Sequence, residues 1–591
     1  MVRGRLGVAA LIMLLLFTAI VARVGYLQVA QYDYFASRSH DNRVRLAPID
    51  PTRGLIRDRA GRILAENRPA FSLTIIPEQA PDMAVLLDEL DRLIDLTDGE
   101  RDAFMKARQR ARSFQEIPLR LQLSEEAVAE LTVNRHRFRG VEVKPHLVRH
   151  YPYGKTGAHA IGYVGRINQD ELRRGDRRRY RSSSFTGKSG VEAFYEERLQ
   201  GLLGVERIET NALGRPLSVL DREPPTPGED LQLTLDIELQ RIAEAALGDY
   251  RGAIVALDPR TGGILALASQ PGFDPNALAS GLDREAFRAL SNDATQPLFN
   301  RAIRGRYPPG SIVKPFLALA GAADGLIDPD ETIFCNGRFN LPNVSRTWRD
   351  WKPEGHGHVD FIQSVAQSCD IYYYELAHEF GIDRLHEWMT RFGYGSDTGV
   401  DLPGERTGIM PSREWKRQNL GEPWYTGETI NTGIGQGFTL ATPIQLATST
   451  AMIANRGQPV RPHLLATADA APATIEPLDT IENALWDITV ESMVEVVHGP
   501  RGTARAIGEG LDYRIAGKTG TAQVIGIGQD EEYDEDELDQ RFHDHALFAA
   551  FAPVASPRIA LAVLVENGGS GSTTAAPIAR EVIQAWLSTT R

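Results

Sequence analysis

Ser311 and Lys314 stand three residues apart in Tyr307-Pro308-Pro309-Gly310-Ser311-Ile312-Val313-Lys314-Pro315-Phe316. Two prolines and a glycine make a stiff turn that a helix interior does not accommodate. The apolar run from Phe316 to Ala323 that follows reads as a buried helix. The spacing sets hydroxyl and ammonium on one face at the helix start. A serine hydroxyl is a poor nucleophile at neutral pH until a neighbouring base takes its proton. Lysine becomes that base when burial, nearby cations or the positive end of a helix lowers its pKa. A capping serine beside a solvent-facing lysine has the same spacing, so the pair alone decides nothing. Two later stretches decide it: Ser368-Cys369-Asp370 after a helical segment, and Lys518-Thr519-Gly520-Thr521 in a strand-like run. Three such motifs in this order within a domain-sized span make chance improbable and point to acyl transfer through serine.

A second set of residues has metal chemistry. Cys335 and Cys369 are the only cysteines, and Asp350, His356 and His358 fall between them. Cys335, Asp350, His356 and Cys369 could hold a structural zinc tetrahedrally, stapling the loop before Asp360 to the Ser368 turn. Gly355 and Gly357 flank His356 and favour it over His358. Two unconnected buried thiols, or a disulfide, are the competing readings. His543-Asp544-His545 is a weaker metal candidate, because it precedes a strand. Gly433-Ile434-Gly435-Gln436-Gly437 lacks the strand-then-helix context of a phosphate loop and reads as a turn near the cleft. The acidic run Asp530–Asp539 and the basic run Arg177–Arg181 read as solvated segments.

The elements that must position these groups can be read in outline. The chain has 591 residues, 42% apolar and 24% charged, enough for two or three domains with sizeable cores. A formal charge of −13 argues against nucleic acid as a partner. Arg3 and Arg5 precede Leu6–Ala22, which carries no charge. As a helix that stretch is about 25 Å long, near the ~30 Å hydrocarbon core of a bilayer. It reads as an uncleaved anchor with its N-terminus inside, the alternative being a cleaved signal peptide. Residues 28–222 are polar and arginine-rich. They suggest two short strands about a turn at Asp58–Gly61, a helix through Leu86, Leu90, Leu93 and Ile94, a break at Asp98-Gly99, a helix Glu100–Arg112, and another within Gly187–Leu203. Residues 223–230 read as a proline-rich linker. In residues 231–591, strands are expected at Ala253–Leu257, Ile264–Ala268, Tyr513–Val524, His545–Phe551 and Ile559–Glu566. A mostly helical stretch runs from Ser311 to Asn455, and a last helix from Ala575 to Leu587. Strands at both ends with helices between imply an α+β unit whose central sheet is built from distant parts of the chain.

The three motifs, with Arg53-Gly54-Leu55-Ile56-Arg57-Asp58, Gly187-Lys188-Ser189-Gly190-Val191-Glu192, Gly433–Gly437 and Lys518–Gln523, resemble the class B penicillin-binding proteins almost end to end, most of all their elongation-specific branch in Gram-negative rods. The second motif ends in Asp370 where most of the superfamily has Asn. The resemblance implies an inner-membrane anchor in residues 1–27, a periplasmic pedestal of dimerisation type with an inserted head in 28–222, and a transpeptidase domain with an antiparallel sheet and helical insert in 231–591. It implies a peptidoglycan D,D-transpeptidase that cross-links stem peptides during cell elongation and is acylated by β-lactams. A D,D-carboxypeptidase, a β-lactamase or sensor, and a scaffold activating a membrane glycosyltransferase are the alternatives. By resemblance Ser311 is the nucleophile, Lys314 the acylation base, Ser368 a proton relay, and Asp370 a holder of that network. Lys518 supplies positive charge. Thr519, Gly520 and Thr521 bind substrate, and the backbone N–H groups of Ser311 and Thr521 form the oxyanion hole. Glycan polymerisation would fall to a partner of SEDS type, together with other elongation-complex proteins.

Overall fold

The computed structural model describes residues 2–32, 44–80, 82–174, 180, 185–211, 216–281, 284–342, 344–466, 472–525 and 538–589. The acidic run Asp530–Asp539 and the arginines of 177–181 lie largely outside them. Helix α1, Val2–Gly25, continues as a π-helical turn through Ala30, and its apolar side chains are exposed. The stretch Gly4–Ala30 has a mean hydropathy of 2.4 and is long enough to cross a bilayer.

The two larger sheets of the next segment carry most of its strands. Strands β1 (Val44–Ile49), β2 (Ile56–Arg57) and β3 (Ile63–Ile75) come first, with a reversal at Asp58 as the sequence suggests. Asp58 is buried, and its Oδ1 accepts from Ala60 N and Arg62 N, so the carboxylate itself closes the turn. Helix α2 (Met83–Ile94) is capped by Asp82 and buries Leu86, Leu87, Leu90 and Ile94. Helix α3 runs Asp98–Arg110, not Glu100–Arg112. Thr97 and Glu100 exchange hydrogen bonds in a capping box, which draws Asp98 and Gly99 into the first turn instead of breaking it. Strands β4 (Ile117–Arg120) and β5 (Val141–His150) flank β3, and the β3–β5 ladder runs from Glu66↔His150 to Ile75↔Val141.

The helix expected within Gly187–Leu203 is two short ones, Gly190–Phe194 and Glu196–Gln200. Glu192 and Glu196 both turn inward to Arg53, and Arg149 reaches Glu192 from β5. Strands β6 (Gly204–Thr210) and β7 (Pro216–Glu223) complete a three-stranded sheet with β1. The expected linker is not free. Its first residue, Glu223, belongs to β7, and Gly228 N donates to Thr52 O at 2.8 Å. A Cβ on Gly228 would lie 1.8 Å from Leu199 O. Strand β8 (Leu231–Gln232) then pairs parallel with β2. Arg62 reaches Asp236 at 3.1 Å, at the N-cap of helix α4 (Ile237–Leu247), so the two halves are hydrogen-bonded across the junction.

Strands β9 (Gly252–Leu257) and β10 (Ile264–Gln270) begin the second half. Helix α5 (Lys314–Ala323) leads into the insert: α6 (Phe361–Ala366), α7 (Asp370–Arg391), α8 (Thr426–Thr432), α9 (Pro443–Ala454) and α10 (Asn483–His498). Strands β11 (Ala516–Ala522), β12 (His545–Ala552) and β13 (Ile559–Val565) follow, then helix α11 (Ala576–Thr589). The sheet order is β10-β9-β13-β12-β11, antiparallel throughout, so chain ends and middle meet in one sheet as expected. The insert is less helical than its sequence suggested. Ile333–Cys335 pairs with Gly357–Val359, and Arg338–Asn340 with Thr347–Arg349. Three-residue strands are too short to show a periodicity. His543 and His545 make separate hydrogen bonds, to Leu538 O and from Asn567 N, and do not join a metal-type cluster among the described residues.

Candidate active site

Gly310–Val313 form a single 3-10 turn that runs straight into α5. Pro315 sits in the first turn of α5, where its missing N–H costs nothing. Ile312, Val313, Phe316 and Leu317 are buried and anchor this start in the core, while Ser311 remains partly exposed. The turn lies directly on β11. A Cβ on Gly520 would meet Ile312 Cγ1 and Pro309 O, each at 3.0 Å. The absent side chain at Gly520 therefore admits the serine turn.

Lys314 is wholly buried. Its Nζ donates to Asp370 Oδ1 at 2.7 Å, to Ser368 O at 2.7 Å and to Ser368 Oγ at 3.2 Å, and lies 5.2 Å from the Tyr373 ring centre. Ser368 joins α6 to α7 with φ +58°, a conformation costly for a non-glycine residue. The indole N–H of Trp351 donates to the carbonyls of Gln367 and Ser368, each at 3.2 Å. From β11, Lys518 Nζ donates to Ser368 Oγ at 3.0 Å and to Thr519 O at 3.0 Å. The Ser368 hydroxyl thus touches both lysines. Thr519 Oγ1 is 2.8 Å from Thr503 Oγ1.

The electrostatics separate the two lysines. Lys314 has a carboxylate partner, whereas burial, then the Lys314 ammonium, push Lys518 well below the ordinary lysine range against the weaker pull of Asp370. Burial raises the Asp370 carboxyl, with Lys314 opposing and Asp350 adding to the rise.

Among the described residues β11 pairs only with β12, and its other edge faces the cleft. Such an edge can accept an extended peptide as an added strand. All five residues expected to act on the acyl group, and the Thr519–Thr521 segment, fall in this one region. Trp351, Tyr373, Thr503 and Gln436 also reach it. Nothing in the spacing of the first three announced them, because each arrives from a loop or helix far along the chain, whereas Gln436 lies in the turn expected near the cleft.

Cys335, Asp350, His356 and Cys369 also converge, with one ligand atom from each within 4.8 Å of every other. Cys335 Sγ is 3.5 Å from Asp350 Oδ2 and 3.6 Å from His356 Nδ1, and His356 Nδ1 is 3.5 Å from Asp350 Oδ1. Both cysteines are free thiols. Burial opposes ionisation of Asp350, but His356 and the Lys352 N–H hold it down at about 2. Burial, then Asp350, push the Cys369 thiol far up. Asp350 Oδ2 accepts from Asp370 N at 2.8 Å, so this cluster touches the second motif directly.

A serine at a buried helix start, a second serine shared by two lysines, and a Lys-Thr-Gly strand at a free sheet edge define a serine acyl-transferase of the penicillin-recognising class. Comparison with known proteins agrees. Residues 252–584 match the penicillin-binding protein transpeptidase domain, and residues 48–233 the penicillin-binding protein dimerisation domain. The chain is 41% identical over 575 residues to the peptidoglycan D,D-transpeptidase MrdA of Escherichia coli K12, covering 95% of this chain and 91% of that protein. It is 42% identical over 594 residues to MrdA of Acinetobacter baumannii, covering 99% and 88%. Penicillin-binding protein 2 of Helicobacter pylori, solved with MreC, superposes with a TM-score of 0.81 at 28% identity over 93% of this chain and 99% of that one. The Pseudomonas aeruginosa penicillin-binding protein 2 complexed with WCK 5153 gives 0.70 at 40% identity over 92% and 97%. The chain belongs to the class B penicillin-binding proteins, in their penicillin-binding protein 2 branch.

Proposed function

We propose that this chain is a peptidoglycan D,D-transpeptidase that joins stem peptides through an acyl-enzyme on Ser311 during cell elongation. The observation that carries the reading is the Ser368 hydroxyl held between Lys314 and Lys518, beside the Ser311 turn. Burial raises the proton affinity of Asp370, and Asp370 with the Ser368 carbonyl and hydroxyl holds the Lys314 amine in place beside the Ser311 turn. That amine takes the Ser311 proton as Oγ attacks the penultimate D-Ala carbonyl. The N–H groups of Ser311 and Thr521 receive the oxyanion, a role in which one lost donor costs about 3–4 kcal/mol. Collapse breaks the peptide bond, and the proton passes through Ser368 to the departing D-Ala amine. The amine of a second stem peptide then attacks the ester, its proton goes back through Lys314, and Ser311 is released. Lys518, Thr519 and Thr521 receive the terminal carboxylate, whose arrival favours the charged form of Lys518.

Cys335, Asp350, His356 and Cys369 fit a structural zinc: two thiols, a carboxylate and an imidazole, with one ligand atom from each within 4.8 Å of every other. The ion would bind the two thiols as thiolates and tie the loop around His356 to the Ser368 turn. Helix α1 anchors the chain in the inner membrane with the rest in the periplasm. Exposed Leu46, Leu217, Val219 and Leu220 on the β1-β6-β7 sheet suit contact with a SEDS-type polymerase and other elongation-complex proteins. A relative solved with MreC and a related peptidoglycan synthase complex support that assignment.

The test is product analysis with a disaccharide-pentapeptide donor and an amine-bearing acceptor. Wild type should form cross-linked dimer, and Ser311→Ala none. Release of D-Ala without dimer would replace the reading with a carboxypeptidase.

A further inference from the structure

The turn Gly433–Gly437 follows α8 and takes no part in the chemistry above. It nonetheless closes on the active site from two sides. Gly310 N, one residue before the nucleophile, donates to Gly435 O at 3.0 Å. Gly435 has φ +69°, and a Cβ on it would lie 2.3 Å from Gly310 O, so only glycine fits. One residue on, Gln436 Nε2 donates to Thr521 O at 3.0 Å. Gln436 N is tied to Asn431 O at 3.0 Å, and Asn431 Oδ1 accepts from Trp348 Nε1 at 3.0 Å. The brace is therefore anchored at its own base. Gly310 itself has φ +54°, and its missing Cβ would fall 2.6 Å from Thr521 O. Serine turn, Lys-Thr-Gly-Thr strand and Gly433–Gly437 meet backbone to backbone.

The side of the strand decides what Gln436 controls. In an antiparallel ladder a residue's N–H and C=O face the same neighbour, in alternation along the strand. Thr521 O accepts from Gln436 Nε2, and Thr521 O and N both lie against Gly310, at 2.6 and 3.3 Å from the Cβ it lacks, so the Thr521 N–H faces the cleft as well. That N–H is one of the two donors assigned above to the oxyanion. We propose that Gln436 is a positioning residue for acyl transfer: its side-chain amide holds the Thr521 carbonyl, and through it the aim of the Thr521 N–H relative to the Ser311 turn. The proposal rests on the oxyanion-hole reading of Thr521. Gln436 does not touch the reacting atoms. Its effect appears when the carbonyl carbon becomes tetrahedral, since an oxyanion donor is worth most at that point.

The test is stopped-flow acylation of the full chain in detergent by a fluorescent penicillin over a saturating range, which separates the initial binding constant from the acylation rate. Gln436→Met keeps the length and removes the donor. Gln436→Glu at neutral pH keeps the length and presents an acceptor to Thr521 O. Acylation should slow about 5- to 50-fold in Gln436→Met and further in Gln436→Glu, a part of the 10²–10³-fold that a whole donor is worth. The binding constant should stay within about twofold of wild type. Deacylation, which passes through the same oxyanion, should slow by a similar factor. Unchanged acylation, or a loss confined to the binding constant or explained by a lowered melting temperature, overturns the proposal. Acylation mapped to Ser311 in wild type, with unaffected Gln436 variants, overturns the brace alone. Label on another residue overturns the underlying mechanism instead.

Discussion

Lys314 and Lys518 were visible in the sequence as parts of two motifs, and the resemblance gave them different roles, yet the partners that set them apart were not visible. Spacing places both lysines at the nucleophile, but only the folded chain shows that Lys314 meets Asp370 at 2.7 Å while Lys518 has Ser368 Oγ and a carbonyl for company. Burial and partners set proton affinity, and neither is written in a four-residue string. The roles predict distinct defects. Lys314→Ala removes the proton acceptor, so β-lactam acylation at pH 7 should slow by about 10²–10⁴-fold, the usual yield of positioned proton transfer. Acylation near the wild-type rate would assign the base elsewhere. Trp351 was illegible for a related reason. Its importance lies in where its indole N–H ends, on the carbonyl of a strained Ser368, and residue type alone does not specify that end point.

At the scale of elements, long apolar segments were read well and short or polar ones poorly. β9, β12 and β13 are continuous buried runs, and their pairing follows from that. Helix α3 was misplaced at its start because Asp98-Gly99 looks like a breaker when the Thr97–Glu100 exchange is unseen. The paired strands of Ile333–Val359 were missed, although the residues they bring together were named: Cys335 on one strand faces Gly357 on the other, one residue past His356. Ligand chemistry could be read from residue type where strand pairing could not. The cluster predicts one zinc per chain in protein purified without added metal, measured by elemental analysis. Cys369→Ser should lose the zinc and acylate more slowly, because Asp350 also holds the Asp370 N–H. Absence of metal together with two alkylatable thiols, or with a mass two protons short, would contradict the staple.

Over the whole molecule, the division into an N-terminal apolar helix, a first segment and a catalytic half was legible from composition and motifs. The tightness of the junction was not. The proline-rich stretch after Glu223 looks like a free linker, but glycines at 201 and 228 let the backbone pack against it. Polar side chains complete the joint: Arg53, Arg149 and Glu192 form a buried cluster beneath it. Burial opposes ionisation of Glu192, yet Arg149, then Arg53, hold its carboxyl below the ordinary glutamate value. A depressed folded pKa contributes stability that is complete above the unfolded value, about 4.3, and is lost as pH falls through the folded one. Glu192→Gln should therefore cost about 3 kcal/mol at pH 7, the low end for breaking a buried pair. The gap in melting temperature from wild type should narrow as pH falls below 5. A gap independent of pH would show that the charge on Glu192 does not stabilise the joint.

The central claim is that Ser311 carries the acyl group, and intact-mass spectrometry after β-lactam treatment tests it most directly. One adduct per chain should form, peptide mapping should place it on Ser311, and Ser311→Ala should abolish it while melting like wild type. An adduct on any other residue, or one that persists in folded Ser311→Ala protein, would contradict the account.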